Sequence, residues 1–172
     1  AEGATGVAEF FLLATLLTAA SVYWYCRSVL LTMLSILCSM TSVVWQFGAL
    51  RLLGYGLDPL AILVPFLVFA IGVSHGVQQI NAIIKAVAEG QDSMGAARES
   101  FSGLFIPGSL ALVTAFVGFI TLVLIPIPMI RELGITASIG VGFKIVTNLI
   151  MLPVVASFFR FSRSYALQQE KL

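Results

Sequence analysis

The stretch Leu60–Ile84, LAILVPFLVFAIGVSHGVQQINAII, decides the fold. It contains no Asp, Glu, Lys or Arg, and His75 is its one titratable side chain. As a helix rising 1.5 Å per residue it reaches about 37 Å, enough to cross a bilayer core of about 30 Å. A helix on a water-soluble protein keeps a polar face. The first half of this one, from Leu60 to Val73, has no polar face, so the surrounding solvent is lipid.

Four further segments repeat the pattern, giving spans at about 7–26, 29–53, 60–84, 106–125 and 135–159. Turn-forming residues separate them: Gly54, Gly56, Asp58 and Pro59, then Gly90 and Asp92, then Pro126, Pro128 and Gly134. Arg27 alone parts the first two spans, which predicts a tight helical hairpin, with Tyr23, Trp24 and Tyr25 as an interfacial aromatic belt. Between spans three and four lies a polar stretch, Lys85–Gly103. Met94, Ala97, Phe101, Leu104 and Phe105 recur there at helical spacing behind Asp92, a ready N-cap. This predicts a short amphipathic helix lying on the cytoplasmic membrane face. Pro107 fits the first turn of the fourth span, where it costs little, whereas Pro65 and Pro153 fall inside spans and each removes a helix hydrogen bond.

The whole composition agrees. Hydrophobic residues make up 59% of the chain and charged ones 10%, too few charges to cover a water-soluble globule of this size. The reading is an all-α integral membrane protein, a five-helix transmembrane bundle forming one domain over residues 1–172. The net charge of +1 says nothing about nucleic acid, and with no basic run present no nucleic-acid partner is expected. Cys26 and Cys38 lie at different depths and are expected to stay reduced; neither has metal-ligand spacing with His75. The opening AEGATGVAEF is neither a signal peptide nor a basic leader, and the chain is expected to be an excerpt of something longer.

No Ser–His–Asp arrangement, phosphate-binding loop or metal cluster is legible, so neither an enzyme nor a cofactor is expected. Two residues stand out because the bilayer makes them expensive: His75 and, in the fifth span, Lys144. A charged lysine near the bilayer centre costs at least about 2.5–3.5 kcal/mol. Asn148 lies one turn from Lys144, with Thr147 beside it, and Ser74 and Gln78 flank His75. No acid falls in the middle of any span: Glu9 is near the outer end of the first, and Asp58 and Glu132 are in loops. Burial and mutual repulsion disfavour the charged forms of two neighbouring bases. His75 is therefore expected to rest neutral, or both groups to face water, or the acid to come from another segment. The bland alternatives are a neutral imidazole bonded across helices and a snorkelling lysine. His75, Lys144 and Asn148 are the candidate proton-relay residues. Gly72 and Gly76 form a small-xxx-small pair expected to let span three approach span five through Gly140 and Gly142.

The run LAILVPFLVFAIGVSHGVQQINAI is similar to the fourth transmembrane helix of one half of RND-superfamily exporters, especially their hydrophobe-exporter and MMPL branches. FIPGSLALVTAFVGFITLVLIPIPMIRELGITASIGVGF resembles the fifth and sixth helices, and MLPVV the usual end of the sixth. The preceding hairpin fits helices two and three, and sterol-sensing domains share this bundle. The resemblance implies a proton-driven exporter of lipids or other hydrophobic compounds in an inner or plasma membrane, with a lipid-sensing scaffold as the alternative. It implies a first helix and an extracytoplasmic domain before Ala1, and a second transmembrane half or homo-oligomer partner. Membrane lipids, a hydrophobic substrate and protons are then the partners. It also places His75 where the family carries a relay Asp, so either His75 substitutes for the acid or another half carries the coupling. Lys144 falls at no family position.

Orientation follows from the basic residues. Arg27, Lys85, Arg98, Arg160, Arg163 and Lys171 lie on one side, Arg51 and Arg131 on the other. The positive-inside rule puts the richer side in the cytoplasm and the N-terminus outside. A membrane-impermeant thiol reagent should therefore label Gly56→Cys from outside and Asp92→Cys from the cytoplasm. Labelling of position 56 from the cytoplasm alone would reverse the assignment.

Overall fold

The computed structural model describes residues 2–56 and 61–169, with side chains over 5–56 and 62–168; Asp58 and Pro59 of the predicted outer turn, and Lys171, lie outside the described residues. Every regular element described is helical: α1 (Glu2–Cys26), α2 (Val29–Leu52), α3 (Val64–Ala88), α4 (Ser93–Thr121), α5 (Pro128–Lys144), α6 (Leu152–Ser157) and α7 (Arg163–Gln169). Short 3₁₀ turns, Ala61–Leu63 and Leu122–Leu124, precede α3 and follow α4, and a π-helical segment, Ile145–Met151, joins α5 to α6. Five helical stretches are long and apolar enough to cross a membrane: Thr5–Cys26, Val29–Leu52, Val64–Ala88, Ser93–Leu124 and Pro128–Ser157.

The first turn is as tight as Arg27 suggested. Arg27 adopts a left-handed conformation (φ 48°), which costs a residue with a Cβ, and Ser28 caps α2 by accepting from the Leu31 amide. Tyr165 on α7 donates its hydroxyl to the Cys26 carbonyl, tying the hairpin to the far end of the chain. Burial pushes the Tyr165 phenol above its ordinary value, which keeps it a donor. Cys26 and Cys38 are both free thiols and both buried.

The core lies where α2, α3 and the fifth span meet. About half of each of these is buried, against 6% of the first and fourth spans. α1 is held through ring contacts, with Phe11 edge-on to Phe66 and Phe69 at 5.1 and 5.7 Å.

Two expectations are corrected. The amphipathic stretch is no separate helix on the membrane face. Asp92 does cap a helix there, accepting from the Gly95 amide at 2.8 Å, but that helix is α4 itself, which runs unbroken past Pro107 to Thr121. Its buried face meets the expected one only at Ala97. Met94 and Phe105 are exposed, while Ala96, Ala97 and Ser100 are buried, and Ser100 donates to the Gln79 carbonyl of α3 at 3.1 Å. Small residues allow that close approach, so the stretch stands against α3. The second correction concerns Pro128 and Gly134, read as loop residues. Pro128 opens α5 in its first turn, and Gly134 lies inside the helix. A Cβ at Gly134 would stand 2.8 Å from the Phe119 carbonyl oxygen, so glycine permits α5 to cross close to α4.

Gly140 and Gly142 separate packing from mere permissiveness. A Cβ at Gly140 would meet Val68 Cγ2 at 2.5 Å and the Gln46 amide at 2.9 Å, whereas at Gly142 nothing lies within 4 Å. Gly140→Ala should destabilise the bundle by about 1–3 kcal/mol through overpacking against a stiff β-branched side chain. Gly142→Ala should stay within about 0.5 kcal/mol, as substitutions away from packed features do. Chemical denaturation in detergent measures both; equal losses would refute the packing described.

Candidate functional site

α2 contributes a polar face. Ser35, Ser39, Ser42 and Gln46 recur at steps of four, three and four residues, which places them along one side of the helix, and all four are fully buried. A membrane-spanning helix buries such a stripe only against other polar groups. Those groups come from α3 and the fifth span. Lys144, the last residue of α5, is fully buried and donates from Nζ to the Ser39 carbonyl at 3.1 Å. Thr147 meets Ser42, hydroxyl to hydroxyl, at 2.7 Å, and Gln46 donates to the Thr136 carbonyl at 3.0 Å.

Gly72 makes this arrangement possible. A Cβ there would overlap Lys144 Nζ and stand 2.7 Å from Ser39 Oγ. Any other residue would fill the space the ammonium occupies. Asn148 completes the junction by donating from Nδ2 to the Gly72 carbonyl at 2.5 Å. Gly76, one turn further on, faces Ser35 Oγ and, at 3.5 Å, Leu152 Cδ1. Gly72 and Gly76 therefore face α2 together with side chains of the fifth span. Of the two glycines expected to meet span three, Gly140 alone lies against it. Gly140 packs on Val68 of α3 and on Gln46 of α2, and Gly142 has open space beside it.

The local backbone is itself unusual. Lys144 is followed by the π-helical segment Ile145–Met151, whose wider spacing carries the Leu152 amide to the Thr147 carbonyl, five residues back. Pro153 lies just beyond. Having no amide hydrogen, it supplies no α-helical bond to the Leu149 carbonyl, so the register is free to slip there. Thr147 and Asn148, two of the groups gathered around Lys144, sit within this segment.

His75 is placed differently from Lys144. It is half-buried and lines a cavity of about 140 Å³ between α3, α4 and the π segment, with Gln78, Gln79, Pro107 and Asn148. Lys144 is not among its lining residues. Asn148 thus belongs to both places: its amide nitrogen reaches Gly72 beside Lys144, and the residue borders the cavity of His75. Sequence reading found His75, Lys144 and Asn148 but passed over the serine–glutamine stripe of α2, whose signal was the spacing of four polar residues in an apolar span. It also passed over Gln79, whose burial depends on α4 standing upright.

The site is a fully buried lysine bonded to a backbone carbonyl and surrounded by hydroxyls, a basic group where a bilayer penalises one. The sequence profile of the Patched sterol-sensing domain, Patched SSD, matches residues 6–158. The chain belongs to the Patched SSD family. Two relatives extend the picture. The membrane protein MJ1562 of Methanocaldococcus jannaschii is 28% identical over 133 residues, 76% of this chain and 34% of that protein. The multidrug resistance protein MdtC of Salmonella paratyphi B is 23% identical over 168 residues, 96% of this chain and 16% of that protein. This Patched SSD bundle therefore spans about a third or less of the relatives it matches, and the RND-type resemblance of its helices stands on these matches.

Replacing Lys144 with methionine, of similar length and apolar, removes the cost of a buried amine, and the unfolding midpoint should hold or rise. Asn148→Leu leaves the Gly72 carbonyl without its cross-helix donor and should cost about 1 kcal/mol. Thermal or denaturant unfolding in detergent checks both. A large loss of stability in Lys144→Met would mean that the lysine is there to hold the fold.

Proposed function

We propose that this domain is the membrane bundle of a proton-motive-force-driven exporter of lipids or other hydrophobic compounds, residing in an inner or plasma membrane with its C-terminus in the cytoplasm. The observation that carries the reading is the complete burial of Lys144 at the meeting point of α2, α3 and the fifth span. An intramembrane base is costly and marks proton or substrate pathways. It adjoins a π-helical segment, a backbone state recurrent at functional sites and able to change register. A proton arriving at Lys144 changes the charge facing the stripe of α2, one arriving at His75 changes the charge beside Asn148, and the π segment converts either change into movement of α6. An outer domain and a second bundle, outside this stretch, complete the transporter. The similarity to MdtC, a multidrug resistance protein, supports a transport role.

The second reading is a lipid-sensing scaffold, favoured by the Patched SSD match. The two differ in whether the basic groups are needed for transport. In proteoliposomes holding the full-length protein under an imposed pH gradient, efflux of a hydrophobic dye should fall about a hundredfold in Lys144→Met, the scale of losing a proton-transfer group. His75→Ala should abolish the pH-linked part, and His75→Asp should retain some. Wild-type efflux in His75→Ala would make His75 a packing residue. Wild-type efflux in Lys144→Met, or no efflux from the wild type, would favour the scaffold.

A further inference from the structure

The fourth span is longer than a bilayer core requires, and its surplus end carries a cation without a partner. Together with the 3₁₀ turn that follows it, α4 covers 32 residues, Ser93–Leu124, about 48 Å as a helix. The part from Leu104 to Leu124 holds no charged residue and crosses a core of about 30 Å by itself. Arg98 therefore stands about 9 Å outside that core, at the depth of lipid headgroups. Its side chain is exposed and has no hydrogen bond or ion pair among the described residues. The adjacent acid is turned elsewhere, with Glu99 Oε2 accepting from Gln91 at 3.3 Å. Beside Arg98 opens an apolar groove of about 300 Å³, walled by Ala97 and Phe101 of α4 and by Ile150, Pro153 and Val154 of the fifth span. Arg98 is the one charged residue among the described residues that line it. The two helices run antiparallel, so Phe101 and Ile150 mark the deep end of the groove and Arg98 its rim.

We propose that this groove binds one anionic phospholipid from the leaflet on the side of Lys85 and Arg98. The phosphate pairs with Arg98, and the upper part of one acyl chain lies along the groove toward Phe101 and Ile150. A guanidinium presents a planar fork of donors that fits two phosphate oxygens at once. A zwitterionic headgroup brings its own cation to compete for that phosphate, whereas an anionic one leaves it to the arginine. The aliphatic stem of Arg98 lies against the apolar wall while its head stays at the polar level. A volume of about 300 Å³ is at the small end for a ligand site and suits a glycerol and part of a chain, not a helix. A helix would also have to carry an acid at that one depth, where a leaflet supplies phosphate throughout. Only 6% of the fourth span is buried, so a lipid seated there braces it against the packed fifth span. The lipid is a structural ligand and not cargo, and the assignment holds for an exporter and for a scaffold alike.

Tryptophan quenching in the full-length protein tests the site. Phe101→Trp places a reporter at the deep end of the groove, with every other tryptophan, Trp24 and Trp45 among them, replaced by phenylalanine. The probes are phosphatidylglycerol and phosphatidylcholine, each brominated on its acyl chains and mixed into liposomes of plain phosphatidylcholine. Half-maximal quenching should need about fivefold less phosphatidylglycerol than phosphatidylcholine, the preference that one basic residue gives at a bilayer surface. Arg98→Gln should bring the two values together. Lys85→Gln removes an exposed charge on the same side that lines no part of the groove, and should leave the difference intact. An equal loss in both variants would mean a diffuse attraction to a positive surface and would overturn the site, as would equal quenching by the two lipids before either substitution. No quenching by either lipid would mean that a protein surface covers the groove, and would overturn it too. In detergent, added phosphatidylglycerol should raise the unfolding midpoint by about 2 °C or more with Arg98 present and not in Arg98→Gln. The same response in both proteins would overturn Arg98 as the anchor.

Discussion

A lysine side chain held inside a membrane-spanning bundle constrains the helices around it. Lys144 reaches the Ser39 carbonyl only through the space left by Gly72, so α3 must carry a residue without a side chain at that depth. α2 must then present polar groups at the same level, and it does so from Ser35 to Gln46. The amide of Asn148 binds the carbonyl that Gly72 would otherwise turn toward an apolar interior. A hydrogen bond between helices in a bilayer is worth about 1 kcal/mol or less, below the cost of bringing in the lysine. The cluster is therefore a poor way to stabilise a bundle and a reasonable way to hold a titratable group. This asymmetry favours a working role for Lys144.

The parts of the fold legible in the sequence are those that local chemistry determines. Five apolar stretches of bilayer length, a hairpin closed at Arg27 and an N-cap at Asp92 all follow from residues read along the chain. What escaped reading depends on neighbours. The periodicity of Met94, Phe101 and Phe105 is genuine, but in lipid an apolar face is free to point outward, and it is the small residues Ala96, Ala97 and Ser100 that find a helix. Gly134 reads as a breaker in isolation and is a crossing point in place, because a carbonyl of α4 lies where its Cβ would be. The π segment leaves its sequence trace only in Pro153.

The same distinction applies to the site. His75, Lys144 and Asn148 were conspicuous because a bilayer penalises them, and burial cost is a property of single residues. Their arrangement was not legible. His75 and Lys144 belong to different surroundings, the one bordering a cavity and the other enclosed, with Asn148 between them. Gln79 was invisible for a further reason: a glutamine near the end of a span reads as interfacial until another helix covers it.

Packing is uneven in a way that bears on movement. α2, α3 and the fifth span bury about half their length in one another, and the first and fourth spans bury 6%. The cavity lies at the seam between the two groups, with polar atoms from the tightly packed helices on one side and Leu104, Pro107 and Ala111 of α4 on the other. Displacing α4 leaves the lysine cluster in place, whereas displacing α3 would break it. Pro107 leaves one backbone bond of α4 unmade at this level, and the π segment faces it across the seam. Tightly packed interiors change between discrete arrangements and do not deform smoothly. A change at Asn148 would therefore be felt on both sides of the seam, by the Gly72 carbonyl of α3 and by the wall that α4 forms.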